Sequence, residues 1–328
     1  MSVIINIKDL SKSYQVHQKE PGFIGSIQGL FNRRYKTITA VDNISLSIQT
    51  GELVGFIGPN GAGKTTTLKM LSGLLYPTSG TATVMDYTPW QRKRDFLKNF
   101  SLVMGQKAQL WWDLPLYDSL LLQRDIYEID KSVFRSSLQE LTELLDLDKF
   151  LKVQVRKLSL GQRMRGELAA ALVYHPQVLL LDEPTIGLDI VVQKKVRKFI
   201  KQYQQKYNAT IILTSHYLDD VRELARRLDI IDHGRIAYDG STENLIKQHV
   251  DHRRIVLTFF QPVAKTALLP YGQIIKYQPL HTILHVPRNQ TTKRAAQLLT
   301  KFPVEDISID EPSLENVVRE LFTNQNYA

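Results

Sequence analysis

The sequence predicts an α/β fold with a parallel core sheet, on three observations. A glycine-rich loop, Gly58-Pro59-Asn60-Gly61-Ala62-Gly63-Lys64-Thr65, joins an apolar run, Leu53 to Ile57, to a helix-like stretch, Thr66 to Leu75. A second apolar run, Val178 to Leu181, ends in Asp182-Glu183-Pro184. A third, Thr210 to Leu213, ends in Thr214-Ser215-His216. Short uninterrupted apolar runs are the habit of parallel strands covered on both faces. Polar groups at their carboxyl ends lie where open α/β sheets bind ligands.

The loop comes first because its chemistry is the most specific. It fits GxxxxGK[ST] in a strand–loop–helix frame, the frame in which that pattern cradles phosphate. Glycines let the backbone turn tightly enough for successive N–H groups to face phosphate oxygens, and the following helix adds the positive end of its dipole. Lys64 is placed to neutralise charge on β- and γ-phosphates, and the Thr65 hydroxyl to ligate Mg²⁺. No Asn-Lys-x-Asp guanine reader follows the loop.

The acidic pair comes next. Consecutive side chains leave a strand in opposite directions, so Asp182 and Glu183 cannot share one task. One carboxylate is expected at Mg²⁺, the other at the water that attacks the terminal phosphate. The bland alternative is a pair of helix-capping carboxylates. Leu158-Ser159-Leu160-Gly161-Gln162 opens a further helix, with Met164, Leu168 and Leu172 on its apolar face and Ser159 as N-cap.

Composition sets the limits. With 328 residues, 43% hydrophobic and 23% charged, the chain is globular in type and long enough for one large domain and a smaller one. It has no cysteine, which excludes disulfides and thiolate metal sites and suits a reducing compartment. No apolar stretch approaches the roughly 18 to 20 residues that span a bilayer, and the first eight residues lack a signal-peptide plan. A net charge of +9 suits an anionic membrane surface, a nucleic acid or a solvated lysine-rich face.

Along the chain, a strand from Val3 to Ile7 leads to Tyr14, and alternation resumes from Val41 to Ile48. Between them Phe23, Ile24, Ile27, Leu30 and Phe31 share a helical face ahead of Arg33, Arg34 and Lys36. This reads as a surface helix packed on its own domain or as a contact with a membrane partner or headgroups. From Gln106 to Leu172 the pattern turns helical, with Leu138, Leu141 and Leu145 at helix spacing.

The ordered set of GPNGAGKT, Gln106, LSLGQ, LLLDEP, Gly187-Leu188-Asp189 and His216 resembles the ATP-binding cassette (ABC) ATPases over residues 1 to about 240. The resemblance implies a P-loop NTPase fold: a mixed core sheet, an antiparallel β subdomain, a helical subdomain about 107–172 and an insertion about 15–38. It implies an ATPase with ATP and Mg²⁺ as ligands. Adenine would stack on Tyr14, whose alternative role is core packing, and the phosphates would lie along Gly58 to Thr66. Mg²⁺ would be held through Thr65, Gln106 and Asp182. Glu183 would be the general base and His216 the switch that senses the γ-phosphate. Ser159, Gly161 and Gln162, with Asp189, would act across a dimer of this chain with itself or a homologous cassette. Leu160 departs from the family's usual LSGGQ, where altered packing is expected rather than loss of function.

Gln106-Lys107-Ala108-Gln109-Leu110-Trp111-Trp112-Asp113-Leu114-Pro115 is similar to cassettes of ABC-2 type exporters. Beyond about residue 241, strand-like segments Ile255 to Phe260, Gln273 to Tyr277 and Thr282 to Val286 precede Glu311 to Val318, similar to the closing motif of a small C-terminal α+β domain, here 241–328. Trp111 and Trp112 either dock a permease helix or fill the helical core. The implied function is a peripheral motor on the cytoplasmic face of the cell membrane that drives separate permease subunits, with no nucleic-acid partner. The alternative is a soluble ABC-type ATPase acting in translation or on nucleic acid.

Overall fold

The computed structural model describes residues 2–17, 35–105, 109–215, 217–249 and 252–310, with 314, 317 and 318. The chain divides into two compact units, 1–239 and 240–328. The first opens with β1 (Val3–His17), β2 (Tyr35–Gln49), β3 (Leu53–Ile57), α1 (Lys64–Leu71), β4 (Ser79–Val84), α2 (Arg94–Lys98) and β5 (Phe100–Met104). Three helices follow: α3 (Leu116–Ile126), α4 (Lys131–Leu145) and α5 (Leu160–Leu172). Then come β6 (Val178–Asp182), α6 (Ile190–Tyr207), β7 (Thr210–Thr214), α7 (Leu218–Leu224), β8 (Arg227–Asp232) and β9 (Arg235–Ser241).

Two sheets organise this unit. The core sheet has six strands in the order β5-β6-β7-β3-β8-β9, and the pairs from β5 through β8 are parallel. Every residue of β3, β6 and β7 is buried. Each large aliphatic side chain so enclosed contributes about 1.5–3 kcal/mol relative to exposure, so the three apolar runs account for the sheet's position at the centre. The second sheet is antiparallel, ordered β2-β1-β4. Ile5, Ile7 and Leu10 of β1 and Ile44, Leu46 and Ile48 of β2 share one core with Val54 and Phe56 of β3 and Leu68 and Leu71 of α1. That shared core sets the antiparallel sheet beside the glycine-rich loop.

The strand expected to end near Ile7 continues to His17, and β1–β2 pairing runs out to His17↔Tyr35. Residues 15–17 and 35–38 are therefore hairpin strands. The expected amphipathic helix, Phe23 to Phe31, lies outside the described residues. In the helical region, α4 is capped by Asp130, whose carboxylate accepts from Ser132 N at 2.7 Å, and it buries Phe134, Leu141 and Leu145. Trp111 and Trp112 are 58% and 52% exposed, which answers the choice between core and surface in favour of surface. The Arg163 guanidinium lies 5.5 Å from the Trp112 ring centroid.

The second unit contains α8 (Thr242–His249), β10 (His252–Phe259), α9 (Lys265–Leu268), β11 (Gln273–Gln278), β12 (His281–Pro287), α10 (Thr291–Lys301) and β13 (Val304–Asp310). Its antiparallel sheet is ordered β11-β12-β10-β13. Ile255, Leu257, Phe259, Leu284 and Val286 form a separate core with Leu268, Ala295 and Leu298. The three strand-like segments expected here fall within β10, β11 and β12, save that Phe260 lies one residue past the end of β10. Of the expected closing motif, Leu314, Val317 and Val318 are described and buried, and Glu311, Pro312, Ser313, Glu315 and Asn316 lie outside the described residues.

Candidate active site

The glycine-rich loop is wedged between two sheets, and two of its glycines are obligatory. A Cβ on Gly58 would lie 2.1 Å from the Ile231 carbonyl oxygen of β8. Gly63 has φ 111°, and a Cβ there would lie 2.5 Å from the Ala40 carbonyl oxygen of β2. Any larger residue would displace backbone on one side or the other. The turn between β8 and β9 braces the loop as well: Gly234 N donates to Ala62 O at 3.0 Å, and Asp42 N donates to Gly234 O at 2.8 Å.

Lys64 opens α1 and is only 6% exposed. Its ammonium donates to Gly58 O at 2.7 Å and Pro59 O at 3.1 Å, so it lies back along its own loop. Burial lowers its pKa from the ordinary lysine value, and the charges of Glu183 and Asp182 act in the opposite sense. Beside it, the Thr65 hydroxyl donates to Asp182 Oδ2 at 3.0 Å. The other Asp182 oxygen accepts from the Thr214 hydroxyl at 2.7 Å. Sheet order explains the meeting: β6 lies next to β7 and β7 next to β3, so their carboxyl ends converge. Gly105 N, just past β5, donates to Asp182 O at 2.8 Å.

Glu183 departs from the strand. Its φ is 58°, a left-handed conformation that costs a non-glycine residue about 1–3 kcal/mol. Its amide donates to both the carbonyl and the hydroxyl oxygens of Thr214, each at 3.1 Å. Left-handed backbone turns the chain sharply at this point, so Glu183 parts from Asp182 by a bend and not by the strand alternation argued above. The following loop is held from below. Asp220 of α7 is fully buried and accepts from the Thr185 hydroxyl, from Ser215 Oγ at 2.7 Å and from Arg197 Nη1 at 2.5 Å.

The structure thus brings Lys64, Thr65, Asp182 and Glu183 together. Ser159, Gly161 and Gln162 form a second group at the start of α5, where Ser159 and Gln162 make a capping box: Gln162 N donates to Ser159 Oγ at 3.2 Å and Ser159 N to Gln162 Oε1 at 2.9 Å. Leu160 is 40% exposed and packs over Gly187. Asp189 caps α6, its carboxylate accepting from Val192 N at 2.9 Å. Tyr14 sits on β1 opposite Ile38, 38% exposed, with the Lys12 ammonium 5.4 Å from its ring centroid; that exposure does not fit simple core packing. Gln106 and His216 lie outside the described residues. Sequence reasoning did not single out Thr214, Gly105, Thr185, Asp220 or Arg197 as site-building residues. A hydroxyl ending the strand beside an acidic strand end was the available signal for Thr214.

A phosphate-cradling loop on the first helix of a parallel sheet, with a carboxylate at the end of a neighbouring strand, defines a P-loop nucleotide hydrolase. The ABC transporter family model matches residues 41–186, and a model of the EvrA-like ABC transporter C-terminal domain matches 251–310. The bacitracin transport ATP-binding protein BcrA of Bacillus licheniformis is 32% identical over 217 residues, covering 66% of this chain and 70% of BcrA. The Nod factor export ATP-binding protein I of Burkholderia orbicola (strain AU 1054) is 34% identical over 218 residues, 66% and 71% of the two chains. A relative with an import name, MetN of Latilactobacillus sakei, matches at 27% over 305 residues, 88% and 86%. Among solved structures, the dimeric structure of MJ0796, a bacterial ABC transporter cassette, superposes with TM-score 0.60 at 23% identity, covering 72% of this chain and 98% of that one. The chain belongs to the ABC transporter ATP-binding proteins. It is an ATP-binding subunit and an ATPase.

Proposed function

We propose that this chain is the ATP-hydrolysing subunit of an ABC-2 type exporter, closing as a dimer around two ATP molecules and driving separate permease subunits. The carrying observation is the Asp182 carboxylate set between the Thr65 and Thr214 hydroxyls one residue before the bent Glu183. No helix among the described residues is long and apolar enough to cross a membrane, and on this reading the membrane work falls to partner subunits. Export rests on the Gln106–Pro115 resemblance and on export-named relatives, and the peripheral cytoplasmic-face location follows from the same reading.

The donor set fits Mg²⁺: Thr65 and Asp182 offer hard oxygen ligands side by side, the type this ion prefers, and the resemblance would add Gln106, which lies outside the described residues. Bound there, the ion would offset the charge of the phosphates. The protein's own groups do the rest. Loop amides and Lys64 hold the triphosphate. Glu183 accepts the proton of the attacking water, and Asp182, fixed by two hydroxyls, keeps the strand end in register. His216 senses the terminal phosphate, Tyr14 stacks on adenine, and Ser159 and Gly161 of the opposing copy close over the nucleotide, with Asp189 in the crossing loop.

Glu183→Gln tests this reading. The variant should retain ATP, accumulate dimers and lose at least about 100-fold in turnover, the scale of general-base catalysis. Hydrolysis at the parent rate would remove Glu183 from the role. Direction is tested by gentle solubilisation from native membranes: co-purifying permease subunits that lower cargo inside cells support export, and a captured extracellular binding subunit would replace it with import.

A further inference from the structure

We propose that Asp220 is a positioning residue for ATP hydrolysis, a buried clamp that sets the loop following Glu183 against the end of β7. The proposal rests on the reading of Glu183 as the group that handles the attacking water. Three segments meet at this one carboxylate. Thr185 and Ser215 both donate to Oδ2, and Arg197 of α6 donates to Oδ1. Thr185 stands two residues past Glu183, and Ser215 directly follows Thr214, the residue whose carbonyl and hydroxyl hold the Glu183 amide. One oxygen of Asp220 therefore grips both sides of the bend that aims Glu183.

The cluster is buried. Asp220, Thr185, Ser215 and Arg197 are 0%, 1%, 4% and 6% exposed. Three donors on one carboxylate, one of them a guanidinium, fix its orientation. Arg197 is itself held by Glu223 at 2.7 Å from Nε. The same loop is tied to α6 by Gln193, whose amide donates to Leu188 O at 3.1 Å, and Ser215 Oγ accepts from Tyr217 N at 3.0 Å. None of these groups needs to touch nucleotide. Lys64 and the P-loop amides bind phosphate elsewhere in the unit, so the clamp should govern how fast the bound triphosphate is cleaved and leave its binding alone. A merely structural cluster would lower the fraction of working molecules instead.

The decisive variant is Thr185→Val, which deletes one hydroxyl without stranding the Asp220 charge. It should lower kcat about tenfold, equivalent to about 1.4 kcal/mol of barrier. KM for ATP and the number of ATP molecules bound per chain should stay within about twofold of the parent. Thr185→Ser, which restores the donor, should recover kcat. Added to Asp220→Asn, Thr185→Val should have little further effect, as expected of two members of one network. If Asp220→Asn does not fold, Thr185→Val and Thr185→Ser still decide. The proposal is overturned if Thr185→Val turns over at the parent rate, if serine fails to rescue it, or if activity falls only in step with ATP sites per chain. Glu183→Gln, measured alongside, judges the separate role of Glu183, and the clamp stands or falls on the two Thr185 variants.

Discussion

Lys64 shows how little freedom a single residue has at this site. Its ammonium sits among carbonyl oxygens of its own loop and within the field of two carboxylates. Replacing it with alanine removes charge-assisted bonds worth about 1.5–3 kcal/mol, so ATP affinity should fall by roughly 10- to 150-fold; isothermal titration checks this, and unchanged affinity would contradict the phosphate-nest reading. Glu183 illustrates what could not be read in advance. Its identity was legible from the Asp-Glu pair, and its left-handed backbone was not, because nothing local to Glu183-Pro184 announces φ above zero. Thr214 was hidden for a different reason. Its partnership with Asp182 depends on β6 and β7 being neighbours, a fact of sheet order and not of spacing along the chain.

Among the elements, α5 and β8 carry the clearest predictions. The capping box at Ser159 satisfies amides at the head of α5, and Ser159→Ala should destabilise the protein by about 1 kcal/mol, seen as a shift in the urea midpoint. β8 holds a less ordinary group. Asp229 is fully buried, with no hydrogen-bond donor in range of either oxygen among the described residues, and Arg227 Nε is 3.6 Å away, engaged with Asp239 at 2.8 Å. Burial, then the like charge of Asp239, push its pKa up to about 8. A carboxyl whose folded value is raised contributes stability that is complete below its unfolded value and is lost as pH rises through about 8. Asp229→Asn should therefore gain on the parent by about 1.4 kcal/mol for each pH unit crossed between about pH 5 and 7. Urea melts at several pH values measure it, and a constant difference would count against the buried acid. Element boundaries also show why some of the fold was legible. β3, β6 and β7 are buried throughout, so their runs stand out. β1 was cut short because bulges between Ile7 and Ser13 break its alternation. α10 and β13 leave little trace in the sequence because their apolar positions are few: α10 buries only Thr291, Ala295 and Leu298, and the least exposed residues of β13, Val304, Ile307 and Ser308, are only half-buried.

Taken whole, the molecule is two self-cored units, 1–239 and 240–328. On the proposed function, the nucleotide site belongs to the first. A chain ended after Ser241, which keeps β9 intact, should bind ATP as the full chain does; equilibrium binding checks it, and loss of binding would show that the second unit is required for the nucleotide site. GPNGAGKT, LSLGQ and LLLDEP were legible because each is a short run with its own chemistry, whereas the second unit offers no such run among its described residues and is recognised there by strand pattern alone.

The loop's neighbours have a practical consequence for anyone building chimeras. Its floor is the carbonyl of Ile231, its flank the carbonyl of Ala40, and Gly234 ties it to Asp42. A transplanted amino-terminal hairpin is best accompanied by the His233–Gly234 corner, so that both sides of the phosphate cradle come from one source.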